Sequence, residues 1–556
     1  MTRFRSRLGT GAAIVLITAL SFACFPRQTW LQQDSQIYLP ILEHLFDPSA
    51  LAQDPVAVRH HVSFTIYDEM ALLARRITGL EFYEILTADQ FVGRACGVAG
   101  VFLLALSMGL PAGLSLLAAG VYALGAVVMG PAVLTVEYEP KPRGTAMGFL
   151  LLAAGLFATG RLRAAGALAG LGFLYHPPTS YPVIAAFGLC LLWSGGSKGR
   201  WEALRILVPL AAASVLLLVC SHLQPGGAGR QSWFARLTPE LERLQRLRAS
   251  YNWVSGWAGE WMPHYLFLWA LSMAALYRLR ASVSVRLRML LISLPLIGMF
   301  SVPASYLFYD VWKWALMAKF QPARALVWVS AAAVVLGAAA CLDAARRGGR
   351  REAFGWGFFA FLIPVEPDVW NLLLPDPSSP LVFRRLAMTA SLALLLTLAG
   401  RFGAGSSRAF GALWVVALVA PFLALPYWGR VPTEPIMHEP ELRELSVWTR
   451  HNTPKDAVFL FPGAGQSRRP GIFRGEALRA VYVDWKGGGQ VNMVEDFARD
   501  WWQRWQAAML RPFDPADLDY YRGLGIDYLV LQPDQPPPGR APVFTNARYG
   551  VYATSR

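Results

Sequence analysis

The sequence is poor in charged residues and in cysteine. Asp, Glu, Lys and Arg make up only 16% of the 556 residues, whereas 55% are hydrophobic and the mean hydropathy is +0.37. So few charges exclude a soluble enzyme of ordinary composition. The five cysteines all lie in or beside apolar runs and none follows Cys341. Their spacing indicates neither a disulfide framework nor a CxxC metal site.

Signatures of nucleotide, peptide and nucleic-acid chemistry are also missing. The glycines of "DWKGGGQ" (484–490) lack the GxxxxGK[ST] spacing of a phosphate-binding loop, so we interpret them as a turn. We find no Ser/His/Asp signature and no basic face with interleaved aromatics. The net charge of +15 lies almost wholly before residue 430, because later residues hold 16 Lys and Arg against 15 Asp and Glu. This placement favours membrane lipids as partners and excludes nucleic acid.

Long apolar runs are what the sequence has instead. A transmembrane helix needs about 20 apolar residues, and fewer where a short helix is buried in a bundle. We therefore predict an α-helical polytopic membrane protein with about thirteen spans. They lie at residues 8–26, 91–109, 112–135, 146–160, 164–175, 182–193, 204–221, 264–278, 289–308, 323–342, 353–364, 385–400 and 409–427.

Arginine-rich connections orient these spans. With the N-terminus in the cytoplasm, "RLRASVSVRLR" (278–288) and "RRGGRR" (346–351) fall on the cytoplasmic side, as the positive-inside rule requires. We expect a transmembrane domain (1–429) that includes a first external loop (27–90), and a small extracytoplasmic α/β domain (430–556). The first span also fits a cleaved signal peptide, but no small-x-small cleavage site is clear, so an uncleaved helix is favoured.

Two parts of the chain outside the spans show regular patterns. In the first loop, Tyr38, Ile41, Leu42 and Leu45 form one helical stripe, which predicts an amphipathic helix along the membrane surface. "VSFTIYDEMALLARRI" predicts a second amphipathic helix. In the tail we predict a helix, a turn and a strand in "ELRELSVWTRHNTPKDAVFLFPG", a strand in "GIDYLVLQP" and a hairpin in "PVFTNARYGVYAT".

The first loop contains three aspartates with different surroundings. Asp47 and Asp54 each precede a proline, which is typical of a helix N-cap followed by a first-turn proline. Asp34 has no such proline. Either it caps a helix that begins at Ser35, or it acts as a general base at membrane-surface height, where the reactive end of a lipid-linked substrate would lie.

A second acidic cluster follows the third span. "TVEYEPKPRGT" contains Glu137, Glu139, Lys141 and Arg143. The segment is either a solvated turn or a site in which carboxylates assist acceptor chemistry while cations take a phosphate.

Three more polar residues are placed near the same side of the membrane. Lys319 and Arg324 fall at the outer edge, where Arg324 either binds a ligand or extends its charge to the interface. His176 interrupts an apolar hairpin before Pro177. It is either part of a site or bonded to carbonyl groups that the prolines leave free.

The arrangement of a first span, a long loop opening with Asp34, a helical bundle and an external α/β tail resembles the GT-C class of membrane glycosyltransferases. Protein O-mannosyltransferases and aminoarabinose transferases are members of that class. The stretches "VWTRHNTPKDAVFLFPG" and "VYVDWKGGG" also look like the C-terminal parts of bacterial GT-C-like proteins. This sequence departs from the mannosyltransferases at the first-loop acid, because Asp34 is followed by Ser35 and Gln36 rather than by a second acid.

The resemblance implies transfer of a sugar from a polyprenyl-phosphate carrier to a lipid, glycan or protein acceptor, by an inverting displacement at the outer face of the cytoplasmic membrane. It makes Asp34 the base and Glu137 a second candidate catalytic residue. The candidate substrate-binding residues are Glu139, Lys141, Arg143, His176, Lys319 and Arg324. No metal ligands are indicated, and a divalent metal stays open as a cofactor.

A non-enzymatic membrane protein, either a lipid or polysaccharide transporter or an inactive scaffold of this fold, is the competing hypothesis. A transporter more often carries charges in the middle of its spans. Here the charges cluster at the ends of the spans, which favours a transferase.

Overall fold

The computed structural model describes residues 2–25, 29–58, 65–193, 196–223, 234–376, 378–402, 408–428, 438–492, 495–533 and 536–555. Each of the thirteen apolar segments predicted to span the membrane contains a helix, although the segment 112–135 is helical only in its first half. Six helices in the described part are long and apolar enough to cross a membrane by length and composition. A multi-pass membrane protein is thus supported, and the count of thirteen crossings stays a prediction.

The described residues up to Leu134 form five helices and a hairpin. They are α1 (Thr2–Ala23), α2 (Ser35–Phe46), α3 (Ile66–Thr78), α4 (Phe82–Ser107) and α5 (Ala112–Ala123), followed by β1 (Val127–Val128) and β2 (Val133–Leu134). The predicted span 112–135 is wrong in its second half. The helix ends before Gly125, whose φ of 78° turns the chain into the hairpin.

The remaining bundle helices follow in chain order. They are α6 (Pro142–Ala158), α7 (Leu162–Tyr175), α8 (Pro177–Trp193), α9 (Gly196–Leu223), α10 (Pro239–Arg248), α11 (Trp261–Leu279), α12 (Val285–Ser305), α13 (Met317–Phe320), α14 (Val327–Arg346), α15 (Arg350–Val365), α16 (Val369–Leu373), α17 (Pro380–Phe402) and α18 (Arg408–Trp428). Short 3₁₀ and π turns join some of them, among them Pro322–Leu326 just before α14.

Glycines bring α4 and α6 into close contact. A Cβ on Gly93 would lie 2.7 Å from the Thr145 Cα, and one on Gly148 would lie 1.8 Å from the Gly93 carbonyl oxygen. Small residues at a helix crossing permit this approach in a membrane protein. The crossing fixes the segment between β2 and α6, which carries the second acidic cluster. Helix α14 is buried along nearly its whole length and forms the centre of the bundle.

The tail contains a five-stranded sheet. Its helices are α19 (Pro440–Asn452), α20 (Arg469–Ala477), α21 (Glu495–Trp505) and α22 (Leu518–Gly523), and its strands are β3 (Val458–Leu460), β4 (Ala480–Val481), β5 (Tyr528–Leu531), β6 (Phe544–Thr545) and β7 (Gly550–Ala553). The strand order is β4-β3-β5-β7-β6, with β3 parallel to both β4 and β5 and the β7 pairings antiparallel. The predicted helix, strands and hairpin of this region are confirmed, and its status as a separate domain stays a prediction.

The two predicted helices of the first loop are confirmed as helices, but the surroundings predicted for the first are wrong. Helix α2 buries Leu39 and Leu42 in the same apolar cluster as Ile472 and Phe473 of α20. Its stripe therefore faces the tail rather than the membrane surface. Helix α3 instead leaves Met70, Leu73 and Ile77 exposed on one face.

The caps predicted at Asp47 and Asp54 are right only in part. Both carboxylates accept nearby backbone N–H groups, Asp47 from Ser49 at 3.0 Å and Asp54 from Val56 and Ala57 at 2.9 and 3.1 Å. However, turns rather than helices follow them in the described residues. Asp54 is also fully buried, with a partner in the tail that the sequence did not reveal.

Candidate functional site

Glu139 anchors the loop that carries Asp34. Its carboxylate accepts the backbone N–H groups of Gln32 and Gln33, both at 2.5 Å, and the Ser35 hydroxyl at 2.8 Å. These groups precede or begin α2, where a carboxylate is favoured by the free N–H groups of the helix start. Glu139 is fully buried. Glu139 therefore holds the loop in this conformation. Because its side chain has no exposed surface, it does not make the substrate contact predicted for it.

Asp34 directly precedes the first residue of α2, but its side chain does not cap the helix. One carboxylate oxygen lies 2.6 Å from the Lys486 Nζ, and the other lies 3.0 Å from an Arg143 guanidinium nitrogen and 3.8 Å from the Lys141 Nζ. The side chain keeps 24% of its surface exposed. The alternative of a simple helix cap is therefore wrong, and the carboxylate faces cations and open space.

The charge of Asp34 is set by these neighbours. Burial alone would raise its pKa, but the positive charges of Lys486, Lys141 and Arg143 together bring the pKa well below the usual value of an aspartate. Asp34 is thus ionised at neutral pH. Each of its oxygens has more than one lone pair, so a further hydrogen-bond donor can still be accepted on the exposed side.

Arg143 joins Asp34 to Glu137. Its Nε lies 2.6 Å from one Glu137 oxygen, while the Lys141 Nζ lies 3.2 Å from the other. Burial would raise the pKa of Glu137, but Arg143 and Lys141 lower it to about 2. The missing side chain of Gly144 leaves room for this contact, because a Cβ there would lie 3.1 Å from the Glu137 Cβ. The predicted acids and cations of "TVEYEPKPRGT" therefore do meet Asp34.

A narrow cleft of about 20 Å³ lies beside this cluster. Polar side chains of Glu137, Arg143, Thr179 and Arg324 line one part of it. Apolar side chains line the rest, among them Val133, Met147 and Trp328. A mostly apolar cleft with a few convergent polar groups is typical of a ligand site.

Two arginines, Arg143 and Arg324, line this cleft, and they differ in their partners. Within the ranges that the structure describes, Arg324 makes no ion pair, and its Nε has no hydrogen-bond partner. It comes from the 3₁₀ turn before α14. The turn is preceded by Gln321 at a φ of 47° and is held by the Tyr181 hydroxyl, which donates to the Pro322 carbonyl at 2.8 Å. A held, uncompensated guanidinium is suited to an oxyanion.

Of the predicted site residues, Glu137, Arg143 and Arg324 line the cleft, whereas Asp34, Glu139 and Lys141 lie in the adjoining ion-pair cluster and His176 and Lys319 lie outside both. His176 ends α7, and its Nδ1 lies 3.2 Å from the Thr179 backbone nitrogen and 2.8 Å from the Thr179 hydroxyl. It thus supports Thr179, which does line the cleft. Lys319 in α13 is half-buried, and its side chain makes neither a hydrogen bond nor an ion pair with the described part of the chain.

Lys486 is the member of the site that the sequence did not predict. It belongs to "DWKGGGQ", where the predicted turn is confirmed as a 3₁₀ turn over Gly487–Asn492. A Cβ on Gly488 would lie 2.5 Å from the Trp501 ring, so only glycine fits this approach. The single signal in the sequence was a lysine between an acid and a glycine turn, and it did not indicate which loop the lysine would meet.

A buried ion network fixes the position of Lys486. The Arg474 guanidinium contacts Asp54 of the first loop at 2.7 Å and also pairs with Asp484, and all three side chains are fully buried or nearly so. Asp484 in turn accepts the Gly487 N–H at 2.8 Å. Among the described residues, no group of three or more His, Cys, Asp and Glu side chains is placed to hold a metal ion.

The tail matches one known family. The family described as "Domain of unknown function (DUF6798)" matches residues 440–508. This segment contains Arg474, Asp484 and Lys486. A comparison with curated proteins finds no match.

Solved structures are similar to the chain over nearly its whole length. ArnT from Cupriavidus metallidurans bound to undecaprenyl phosphate has 13% identity and a TM-score of 0.46, with 99% of this chain and 98% of that chain covered. The apo state of the same protein has 12% identity and a TM-score of 0.44 at the same coverage. Arabinofuranosyltransferase AftD from Mycobacteria has 15% identity and a TM-score of 0.47, over 99% of this chain and 40% of that chain. The resemblance to GT-C glycosyltransferases stays a prediction.

Proposed function

We propose that this protein is a membrane glycosyltransferase that moves a sugar from a polyprenyl-phosphate carrier to a lipid, glycan or protein acceptor. The site would face the outer side of the cytoplasmic membrane, with the N-terminus in the cytoplasm and the tail outside. The observation that carries this proposal is that Arg143 pairs with Asp34, an ionised and partly exposed carboxylate, and also lines the cleft of Arg324, a cation that forms no ion pair with the described residues.

The proposed step is an inverting displacement. An acceptor hydroxyl or amine attacks C1 of the sugar, and its proton passes to the Asp34 carboxylate. The bond between C1 and the carrier oxygen breaks, and its electron pair stays on the phosphate, which leaves with the polyprenyl chain. In this proposal Arg324 stabilises the charge that develops on this phosphate. The assisting role predicted for Lys319 at the membrane edge stays a prediction.

The other members of the cluster hold Asp34 rather than react. Arg143 and Lys141 keep it ionised, and Glu137 fixes both cations by its own ion pairs. Glu137 is 3% exposed, so we assign it to positioning. Glu139 holds the backbone beneath Asp34.

One observation favours the competing proposal of an inactive scaffold. Asp34 and Glu137 both lie in ion pairs. The same contacts are consistent with a purely structural role, in which the cluster joins the first loop, the bundle and the tail. The two proposals differ in whether the protein releases polyprenyl phosphate from a glycosylated carrier.

The experiment compares the wild-type protein with Asp34→Asn in proteoliposomes. Polyprenyl-phosphate-linked hexoses and pentoses serve as donors, membrane extract supplies acceptors, and release of polyprenyl phosphate is measured. Loss of the base is expected to slow release by about 10²- to 10⁴-fold. The control is Asp47→Asn, which removes an exposed acid of the same loop that pairs with Lys455. Equal release by wild-type protein and Asp34→Asn would remove Asp34 from the mechanism, and no release by the wild type from any donor would favour the scaffold.

A further inference from the structure

A second cleft, of about 250 Å³, lies in the tail. Its walls come from the chain after β3 (Phe461 to Arg469), from the end of β5 with Gln532, and from Arg548 and Tyr549 before β7. These segments meet because β5 runs parallel to β3, while β7 runs antiparallel to β5 and pairs Gly550 with Leu531. The cleft therefore lies at the carboxyl ends of the parallel strands.

This location has a geometric basis for ligand binding. The connection after β3 leads through α20 to β4 on one side, whereas β5 pairs on the other side of β3. Connections that leave a strand end in opposite directions open a crevice, and open α/β sheets bind ligands in such crevices.

Two arginines give the cleft its charge. The Arg469 Nη2 lies 2.7 Å from one Glu439 oxygen, and the Arg548 Nη1 lies 2.9 Å from the other. The Tyr549 hydroxyl lies 3.4 Å from the same carboxylate. One carboxylate thus faces two guanidinium groups, so positive charge is left over at the cleft wall. The arginine side chains stay 34% and 46% exposed, so a ligand can reach them.

We propose that this cleft binds a small molecule through a phosphate or carboxylate group, which Arg469 and Arg548 hold. A planar guanidinium binds both of these oxyanions in the same geometry. The Glu439 carboxylate already occupies the two guanidinium groups in that geometry and competes with the incoming anion. The Phe461 and Tyr549 side chains supply apolar surface for the body of the ligand. This site is separate from the cleft at Arg324 and does not depend on the proposed transferase activity.

The experiment titrates the full-length protein in detergent micelles with inorganic phosphate, with glucuronate and with neutral glucose, by calorimetry. We expect saturable binding of phosphate or glucuronate and none of glucose. Arg548→Ala is expected to weaken this binding by about tenfold or more, since a hydrogen bond to a charged group is lost. Glu439→Gln is expected to tighten it, because a neutral amide competes less well for the arginines.

Two controls locate the binding. Arg522→Ala removes an exposed arginine that precedes β5 and so lies at the opposite end of the sheet, and it is expected to bind as the wild type does. Arg324→Ala is expected to keep this binding, which separates the tail from the cleft in the bundle. The proposal is overturned if neither wild type nor Glu439→Gln binds either anion, or if Arg548→Ala binds it with wild-type affinity. It is also overturned if Arg324→Ala alone abolishes binding.

Discussion

Two charged clusters join the first loop to the tail, and they differ in their access to water. In one, Asp34 contacts Lys486 of the tail and keeps 24% of its surface exposed beside a cleft. In the other, Asp54 contacts Arg474, and both side chains are fully buried. The sealed cluster fixes the distance between loop and tail, whereas the open one keeps a carboxylate available to a ligand. Asp34 and Asp54, which lie 20 positions apart in one loop, thus have different roles.

The sealed cluster is expected to give the largest effect when broken. Arg474→Met leaves Asp54 and Asp484 buried without their cation, and such a loss costs about 3–5 kcal/mol of folding free energy. Thermal unfolding of the purified protein in detergent measures this. The control is Arg499→Met, which removes an exposed partner of Glu495 and is expected to cost under about 1 kcal/mol. A triple variant that also changes both aspartates to asparagine is expected to recover part of the loss, and equal destabilisation by the two single variants would contradict the assigned role.

The open cluster is expected to respond in rate rather than in stability. Arg324→Ala removes the cation that we propose meets the leaving phosphate, and we expect kcat/KM for polyprenyl phosphate release to fall by about 10- to 100-fold. Arg324→Lys keeps the charge and is expected to recover part of the rate. The control is Arg350→Ala, which changes an exposed arginine beyond the other end of α14. An unchanged kcat/KM in Arg324→Ala would separate this cleft from the reaction.

The smallest effect on the rate is expected for a change at Lys486. This lysine pairs with Asp34 of the open cluster, and Asp484 of the sealed cluster holds the turn beside it. Lys486→Met removes one of the cations that lower the pKa of Asp34, so the pKa of Asp34 rises. The proposed base works only when ionised, and therefore the acid limb of the pH–rate profile is expected to move to higher pH. The profile of polyprenyl phosphate release measures this shift. Lys455→Met, which removes the exposed partner of Asp47, is expected to leave the profile in place.

Much of the fold could be predicted because it depends on local patterns. Apolar runs located the bundle helices, and periodicity located α2 and α3. Alternation and turn residues located the strands of the tail. The error at α2 shows the limit of these patterns. The stripe of Tyr38, Ile41, Leu42 and Leu45 defines which face of the helix is apolar, but not whether lipid or protein covers that face.

The site could be predicted as far as its residues are close in sequence. Glu137, Lys141 and Arg143 lie within seven positions of one another, and their meeting follows from one short turn. Asp34 was indicated by its distance from the first span. The partners of Asp34 and Asp54 in the tail depend on how a distant sheet packs on the first loop. No pattern within one sequence encodes that packing, so Lys486 and Arg474 were missed.

The contact between Asp34 and Lys486 also imposes an order on biosynthesis. The two residues are 452 positions apart. At translation rates of 5–20 residues per second, the ribosome makes the lysine roughly 20–90 s after the aspartate. During that interval the first helices have been synthesised, and Asp34 lacks its partner Lys486 from the tail. The nascent chain therefore lacks the Asp34–Lys486 ion pair, which forms only after the last quarter of the chain is translated.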